Sequence, residues 1–553
     1  MTAEAKTIAI IGGGHNGLTA AAYLAAQGFA VEVFEKRQAI GGLCVNETPF
    51  IKEGSNVKVS SVASYFGMMR KEIMADLDLE SHGLKPYLTD PVEIVLLDLK
   101  DGQDQFSFTP RDGGEAKTEI ASLTAADHAG WQSFWGDIQR AAALIYPRYL
   151  SPDLTQSEVV ELLKKKGLDK IADHIFSGSL VDLLKHYIKN EELMAVAATC
   201  TPGFANLVGS VFGCIHHGTA ETKGEFGAWG QVLGGMGAIT EALSKAAQAK
   251  GAKIHLGQAV QRLLVDNTGN GNAGTANAQQ KVSAIELADG SQRQFDLVVV
   301  NADSYVLFEQ LLEGTDTTAE VRQYLQDNRP KVSAAKLHFL LKELPKFKTL
   351  QKIGHNHKGV IVMAPPLAAV KSASSAVPNG ILPERLMLTM AFPTLEDASM
   401  ADSTRPNEQV LSVDIHYVPA QIAGMAWSEA DDLQLLENTI KAIEAQCPEF
   451  RSLILSSYVV SPRGLARDFN LASLSCWHLP MTPQYLFEKR TLPGCAPYET
   501  PLQNLYVCGA GTYPGGNVTA ANGHNLAKHL INIFCPNAEK EVKDDAERTC
   551  VHS

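Results

Sequence analysis

A chain of 553 residues with a formal charge of −13 is too long for one hydrophobic core. It is also too acidic, with no run of basic residues, for a nucleic-acid binder or for polybasic attachment to an anionic bilayer. Its 45% apolar and 20% charged content is that of a folded globular protein of two or three domains. The nine cysteines are odd in number and never spaced CxxC. They point to a reducing, cytoplasmic setting and away from a zinc site or a redox disulfide, so no metal is expected. The residues before Thr7 are too few for a signal or transit peptide.

The chain opens on a strand, Thr7 to Ile11, followed by Gly12-Gly13-Gly14-His15-Asn16-Gly17, an alanine-rich helix ending near Gly28, and a second strand, Val31 to Phe34, closed by Glu35. Each piece has a physical job in holding a dinucleotide. Gly12 makes the tight turn, Gly14 lets backbone approach a pyrophosphate, and Gly17 lets the helix lie close on the strand. The helix N-terminus then faces the phosphates. Glu35 stands where a carboxylate accepts hydrogen bonds from the adenosine ribose hydroxyls. Arg37 could be taken for the partner of an NADP 2'-phosphate, but the charge of Glu35 would repel that phosphate. The run Glu35-Lys36-Arg37-Gln38-Ala39-Ile40-Gly41-Gly42-Leu43 resembles the extended motif of flavoproteins, in which the glycine pair folds back beside the FAD pyrophosphate.

Beyond this unit the pattern changes. Pro91 to Leu99 and Phe106 to Thr109 read as strands, and Leu123 to Ile145 and Gln156 to Ile188 as helices, capped by Ser122 and by Thr155 or Ser157. The most apolar stretch, Met194 to Ile215, is interrupted by Pro202-Gly203 and Asn206, which predicts two packed helices and a turn rather than a membrane span. From Gly234-Gly235-Met236-Gly237 the nucleotide-domain pattern returns. Ile239 to Lys250 is helical, Lys253 to Val265 and Lys281 to Leu287 alternate, and Phe295 to Asn301 is a buried strand. Gly269-Asn270-Gly271-Asn272-Ala273-Gly274 matches GxGxxG, but Thr275 to Gln280 has no apolar period to make the helix that would hold phosphate. Asn267 to Gln280 therefore reads as a hairpin loop, not a second nucleotide site. Strands at Ala334 to Leu341, Arg385 to Phe392 and Val410 to Val418 follow, with a helix at Glu429 to Gln446.

The chain closes on a strand, Leu505 to Cys508, the glycine-rich turn Gly509-Ala510-Gly511-Thr512-Tyr513-Pro514-Gly515-Gly516-Asn517-Val518, and a helix from Thr519 to Phe534. A strand that ends in glycines and enters a helix presents backbone N–H groups and the positive end of a dipole. Over a flavin, such a turn stabilises negative charge on the reduced ring.

Together with Gly227-Ala228-Trp229-Gly230, Gly234-Gly235-Met236-Gly237, Val300-Asn301-Ala302-Asp303, Cys214-Ile215-His216-His217 and Ser461-Pro462-Arg463-Gly464-Leu465, these motifs resemble the phytoene desaturase-type FAD oxidoreductases over nearly the whole chain. The resemblance implies an α/β fold. A Rossmann-like FAD-binding domain of the glutathione-reductase/amine-oxidase type is assembled from residues 1–90, 230–310 and 455–553. An inserted α+β substrate domain comes from residues 91–229 and 311–454. It implies FAD as cofactor, held by Gly12, Gly14, His15, Asn16, Gly17, Glu35, Lys36, Arg37, Gly41, Gly42, Leu43, Asn301, Ala302 and Gly509. Adenine contact is implied from the Val260 region, and flavin contact from Gly515, Gly516, Asn517 and Val518.

The chain departs from this pattern at Leu471-Ala472-Ser473-Leu474-Ser475-Cys476-Trp477-His478 and at Tyr513, so the substrate does not carry over. His216, His217, Trp229, Trp477 and Tyr513 are the candidate pocket residues. Adjacent histidines on one helix point in different directions, which predicts a structural role for at least one. No catalytic side chain is assigned, because in such enzymes the cofactor carries the chemistry. The expected reaction is hydride transfer from a C–H bond of a lipophilic or amine substrate to flavin, with oxygen or a quinone as acceptor and room for peripheral membrane contact. Two other classes stand beside it: an isomerase or saturase acting on a polyene, and a binding or assembly protein that keeps FAD as a structural element.

Overall fold

The computed structural model describes residues 5–90, 92–97, 105–109, 117–120, 123–201, 204–267, 280–315 and 318–536. The segment read as a hairpin loop lies mostly outside them. The strands on either side of it, Val260–Asn267 and Gln280–Leu287, pair antiparallel with Asn267 opposite Gln280.

Two sheets organise the molecule. The smaller is wholly parallel, in the order Lys253–Leu256, Ala30–Glu35, Thr7–Ile11, Leu297–Val300, Leu505–Val507. The four residues of Leu297–Val300 are fully buried, as a parallel strand covered on both faces must be. The chain winds outward from Thr7–Ile11 in one direction and then, from Leu297–Val300, in the other. A crevice therefore opens beyond the carboxyl ends of these two neighbours. The helices His15–Ala26, Gly237–Ala249 and Ala521–Phe534 pack on this sheet. Gly523 is required at the crossing of the first and last of them, because a Cβ there would lie 2.0 Å from the carbonyl oxygen of Asn16.

The larger sheet has eight strands, in the order Ile454–Val460, Val332–Leu341, Gln409–Pro419, Leu388–Ala391, Val360–Ala364, Glu93–Leu97, Gln105–Thr109, Lys117–Glu119. Its two faces differ in chemistry. Leu337, Phe339, Val413 and Ile415 point to an apolar core under the helix Glu429–Glu444. The residues between them, Lys336, His338, Ser412, Asp414 and His416, point to the other side. That second face looks toward the helices Ala125–Ile145, Glu191–Ala197 and Ser210–Gly218 and toward the loop after Gly42.

Several predicted elements are corrected. Gln156 to Ile188 is not one helix but three, Gln156–Lys165, Asp169–His174 and Leu180–Leu184. Gly167 in a left-handed conformation ends the first, and the Ser179 side chain caps the third. Thr124, not Ser122, caps Ala125–Ile145 through a reciprocal pair of bonds with Asp127. Lys253 to Val265 divides into two strands that enter different sheets.

Candidate functional site

Three strand ends converge at the crevice: Ile11 into Gly12, Val300 into Asn301, and Val507 into Cys508-Gly509. The Asn301 amide donates to the Gly12 carbonyl (3.2 Å) and fills the space where side chains at Gly14 and Gly17 would stand. A Cβ at Gly17 would lie 2.4 Å from the Gly12 carbonyl oxygen, and one at Gly14 2.9 Å from Asn301 Nδ2. No side chain caps the helix that begins at His15, and its first N–H groups have no carbonyl a turn behind them. Glu35 is buried, its two oxygens accepting from the Gly13 N–H (2.8 Å) and the Arg37 N–H (2.9 Å). Each carboxylate oxygen keeps further acceptor capacity. The Gly41 N–H donates to the Gly13 carbonyl (2.8 Å), so the glycine pair folds back on the first loop. Gly41, at φ +125°, has no room for a side chain, because a Cβ would meet the Cys44 carbonyl at 2.5 Å.

Around this core the other expected residues take defined places. The Arg37 guanidinium pairs with Glu47 and lies 4.8 Å over the Phe469 ring. Lys36 is exposed, and Leu43 packs against a small cluster containing Leu465 and Leu471. Val260 opens a strand whose approach is tied to the same segment, Gln258 N–H donating to the Glu35 carbonyl and Gly257 N–H to the Arg37 carbonyl. His15, Asn301, Ala302, Asn517 and Val518 keep accessible surface in the crevice. His15 Nε2 and Asn16 Oδ1 are buried polar atoms with no partner among the described residues. Burial holds the His15 imidazole down at about 4, so it is neutral at ordinary pH. Opposite it, Gly515 and Gly516 admit the Met481 and Trp477 side chains, with a Cβ on Gly516 only 2.1 Å from the indole.

This crevice is shaped for a dinucleotide, and the chain matches the family "Flavin containing amine oxidoreductase" over residues 17–523. The chain belongs to that family. It is 26% identical to mouse (Mus musculus) pyridine nucleotide-disulfide oxidoreductase domain-containing protein 2, over 94% of this chain and 92% of that one. It is 23% identical to the neurosporene-forming phytoene desaturase of Rhodobacter capsulatus, over 96% and 94%. Cyclohexylamine oxidase from Brevibacterium oxydans shares the fold with a TM-score of 0.55 at 12% identity, over 95% of this chain and 100% of that one. The protein is an FAD-dependent oxidoreductase, and the glycine cradle, the unpartnered His15 and Asn16 atoms and the uncapped helix fit that cofactor.

The expected pocket residues separate into two groups. His217 and Trp229 meet edge to face at 5.7 Å, His217 Nδ1 bonds the Cys200 carbonyl (2.7 Å), and both keep accessible surface, as does Trp477. His216 and Tyr513 are buried instead. His216 is buried with its Nδ1 2.5 Å from the Tyr149 hydroxyl, and burial holds it well below the usual histidine range. Tyr513 is buried too, its hydroxyl donating to the Arg148 carbonyl (2.8 Å). Successive helical residues diverge by roughly 100°, which puts one histidine in the core and the other on the chamber wall.

The residues not foreseen lie on the polar face of the large sheet. Lys336 and Asp414, directly paired across neighbouring strands, are both buried. Lys336 Nζ lies 3.5 Å from Asp414 Oδ1 and donates to Ser64 Oγ (2.5 Å), which in turn donates to Asp414 Oδ1 (2.5 Å). Burial lowers the Lys336 ammonium and Asp414 opposes that shift. These groups line a cleft of about 410 Å³ with Tyr65, Tyr87 and Asp397. Nearby, Tyr65, Glu93, His217 and His416 are enclosed by protein yet retain accessible surface, which places them on an interior space.

Glu93 has no hydrogen-bonding or ionic partner among the described residues, and burial pushes its carboxyl up to about 7. Between the ordinary glutamate value near 4.5 and about 7, the folded protein keeps a proton that the unfolded chain releases. Stability therefore falls as pH rises through that window. Glu93→Gln is expected to be nearly neutral at pH ~5 and stabilising at pH ~8, by up to about 3 kcal/mol. Unfolding midpoints at the two pH values check this, and an equal shift at both would refute it.

Proposed function

We propose that the protein oxidises a C–H bond of a lipophilic or amine substrate at the junction of the two sheets and delivers the electrons to oxygen or a quinone. The observation that carries this reading is the set of enclosed polar groups beside the dinucleotide crevice, Lys336, Asp414, His217 and His416. FAD, when bound, supplies the hydride acceptor. The chain does the rest: Trp477, Phe204 and Trp229 crowd water out, and Lys336 holds protons at Nζ, in contact with the Ser64 hydroxyl. Asp414 keeps that ammonium from being an uncompensated buried charge. In the same reading, residues 1–90, 230–310 and 455–553 hold the cofactor and residues 91–229 and 311–454 form the cap. Ile454–Val460 is shared, because it adds an edge strand to the large sheet.

The electron source is tested directly. The parallel unit at the N-terminus is the one strand, glycine loop and helix set among the described residues that forms such a crevice. NADH and NADPH are therefore expected to reduce the bound flavin poorly, and a member of a panel of amines, polyenes and other lipids to bleach it, in anaerobic stopped-flow absorbance. Fast, saturable bleaching by either nicotinamide would replace this reading with that of a saturase.

A further inference from the structure

A second groove lies on the same side of the large sheet as Lys336 and Asp414 and reaches their neighbour His416. This narrow groove runs between the helix Leu367–Ala376 and residues 383–387. Apart from Arg385, its wall is apolar (Ala369, Val370, Ala373, Leu386 and Met387) until it reaches Tyr417 and His416. The Tyr417 hydroxyl is taken up by the Ser374 carbonyl (3.2 Å), which leaves its ring as lining. His416 is different. Its imidazole makes no hydrogen bond to any described residue, keeps accessible surface, and is held below the usual histidine range chiefly by burial, so it is a neutral donor and acceptor facing open space.

From the groove's inner end an aromatic line leads to the cofactor turn. Tyr417 is 6.3 Å from Phe204, Phe204 is 6.0 Å edge-on to Trp477, and Trp477 occupies the space above Gly516. On the other flank of His416, two residues along the same strand face, stands Asp414, whose Oδ2 is buried without a partner. Apart from Arg385, the path is thus apolar from the surface inward and polar where it ends at His416 and Asp414.

We infer that this groove is the substrate's tail channel, and that the substrate is an amphiphile: a slender apolar chain ending in a hydrogen-bonding head that His416 receives. The inference rests on the proposed oxidoreductase site and narrows its substrate class. A hydrocarbon that is apolar at both ends would leave the His416 imidazole and Asp414 Oδ2 without a hydrogen bond in an enclosed setting, where an unmade one costs most. A small polar substrate would leave the apolar groove wet.

The test uses the FAD-loaded protein and two homologous probe series, the n-alkanols and n-alkylamines from butyl to decyl, titrated anaerobically while the bound-flavin spectrum is followed. Kd is expected to fall about four-fold for each added methylene until the groove is full. Ala369→Phe, at the half-exposed mouth, and Ala373→Leu, deeper in, are each expected to end that fall at a shorter chain while the flavin content is unchanged. His416→Leu is expected to raise Kd by a similar factor for every member, moving the line without changing its slope. A flat series in the unsubstituted protein, or lines for both alanine variants that superimpose on it, would overturn the channel. An unmoved line in His416→Leu would overturn the head contact. A colourless protein that takes up no FAD would instead remove the oxidoreductase site itself, and is seen before any titration.

Discussion

Gly17→Val is expected to give a folded protein that holds no FAD. The Cβ alone would lie 2.4 Å from the Gly12 carbonyl oxygen and 3.0 Å from Asn301 Nδ2, and the groups it meets are backbone and a side chain fixed by its own bond to Gly12. The loop has to lift from the strand ends, which takes the N–H groups at the start of His15–Ala26 away from a pyrophosphate. The strain is local, on the order of 1–3 kcal/mol, and tolerable in a large domain, whereas the binding geometry is lost. Affinity should fall by at least about 100-fold, or about 2.7 kcal/mol. The ratio of flavin to protein absorbance after purification, and titration of FAD into the stripped protein, measure it. Glu35→Arg should act in the same direction, because it removes the acceptor of the Gly13 N–H and sets a cation in its place. Stoichiometric flavin in the Gly17 variant would show that the loop is not the pyrophosphate site.

Arg490→Leu is expected to be the most damaging single change outside the nucleotide loop. Arg490 is 1% exposed and has no carboxylate partner among the described residues. Its five N–H donors are shared among six main-chain carbonyls, those of Thr512 (3.1 Å), Pro480 (3.1 Å), Tyr485 (3.0 Å), Trp477 (2.8 Å), Leu479 (3.2 Å) and Ala510 (2.7 Å). That one side chain therefore ties the 477–485 loop to the glycine-rich turn. Leucine leaves the carbonyls buried without donors, at about 1–3 kcal/mol for each that finds no water. A loss on the order of 5 kcal/mol, with FAD released at a lower temperature, is expected in thermal unfolding followed by flavin fluorescence. Arg490→Lys should recover only part of it, since an ammonium offers three donors. A leucine variant with an unchanged midpoint would show that the carbonyls find other partners.

What could be read from the sequence follows from how local the signals are. The strand, Gly12 to Gly17, helix and Glu35 lie within one unit, so spacing alone places them, and the Gly509 to Val518 turn is similarly self-contained. Lys336, Asp414 and His416 were not legible as a site. Each sits at an alternate position of an ordinary strand, and only the pairing of Val332–Leu341 with Gln409–Pro419 brings them together. The available hint was a lysine inside an otherwise apolar run, Ala334-Ala335-Lys336-Leu337-His338-Phe339. A charged residue so placed must either face water or find a buried partner. Arg490 gave no hint, because its partners are carbonyls contributed by two separate loops. The break of Gln156 to Ile188 was hidden for the opposite reason: its apolar period is continuous, and Gly167 and Ser179 act through caps. His216 and His217 could be told apart in principle, but not which would face the chamber.

The convergence of three strand ends on the crevice also sets a timetable for biogenesis. One wall is finished when residue 17 has been made, the second only at residue 302, and the last at residue 518. A nascent chain emerging from the ribosome can form the strands of the larger sheet, yet it has no complete crevice until nearly its whole length is out. Until then Leu297–Val300 lacks the neighbour that Leu505–Val507 supplies to the sheet. Cofactor capture is thus expected to come after synthesis and to close folding rather than guide it. A message truncated shortly before codon 505 is expected to yield a flavin-free protein with an open edge at Leu297–Val300, and quality control would meet it as an aggregation hazard.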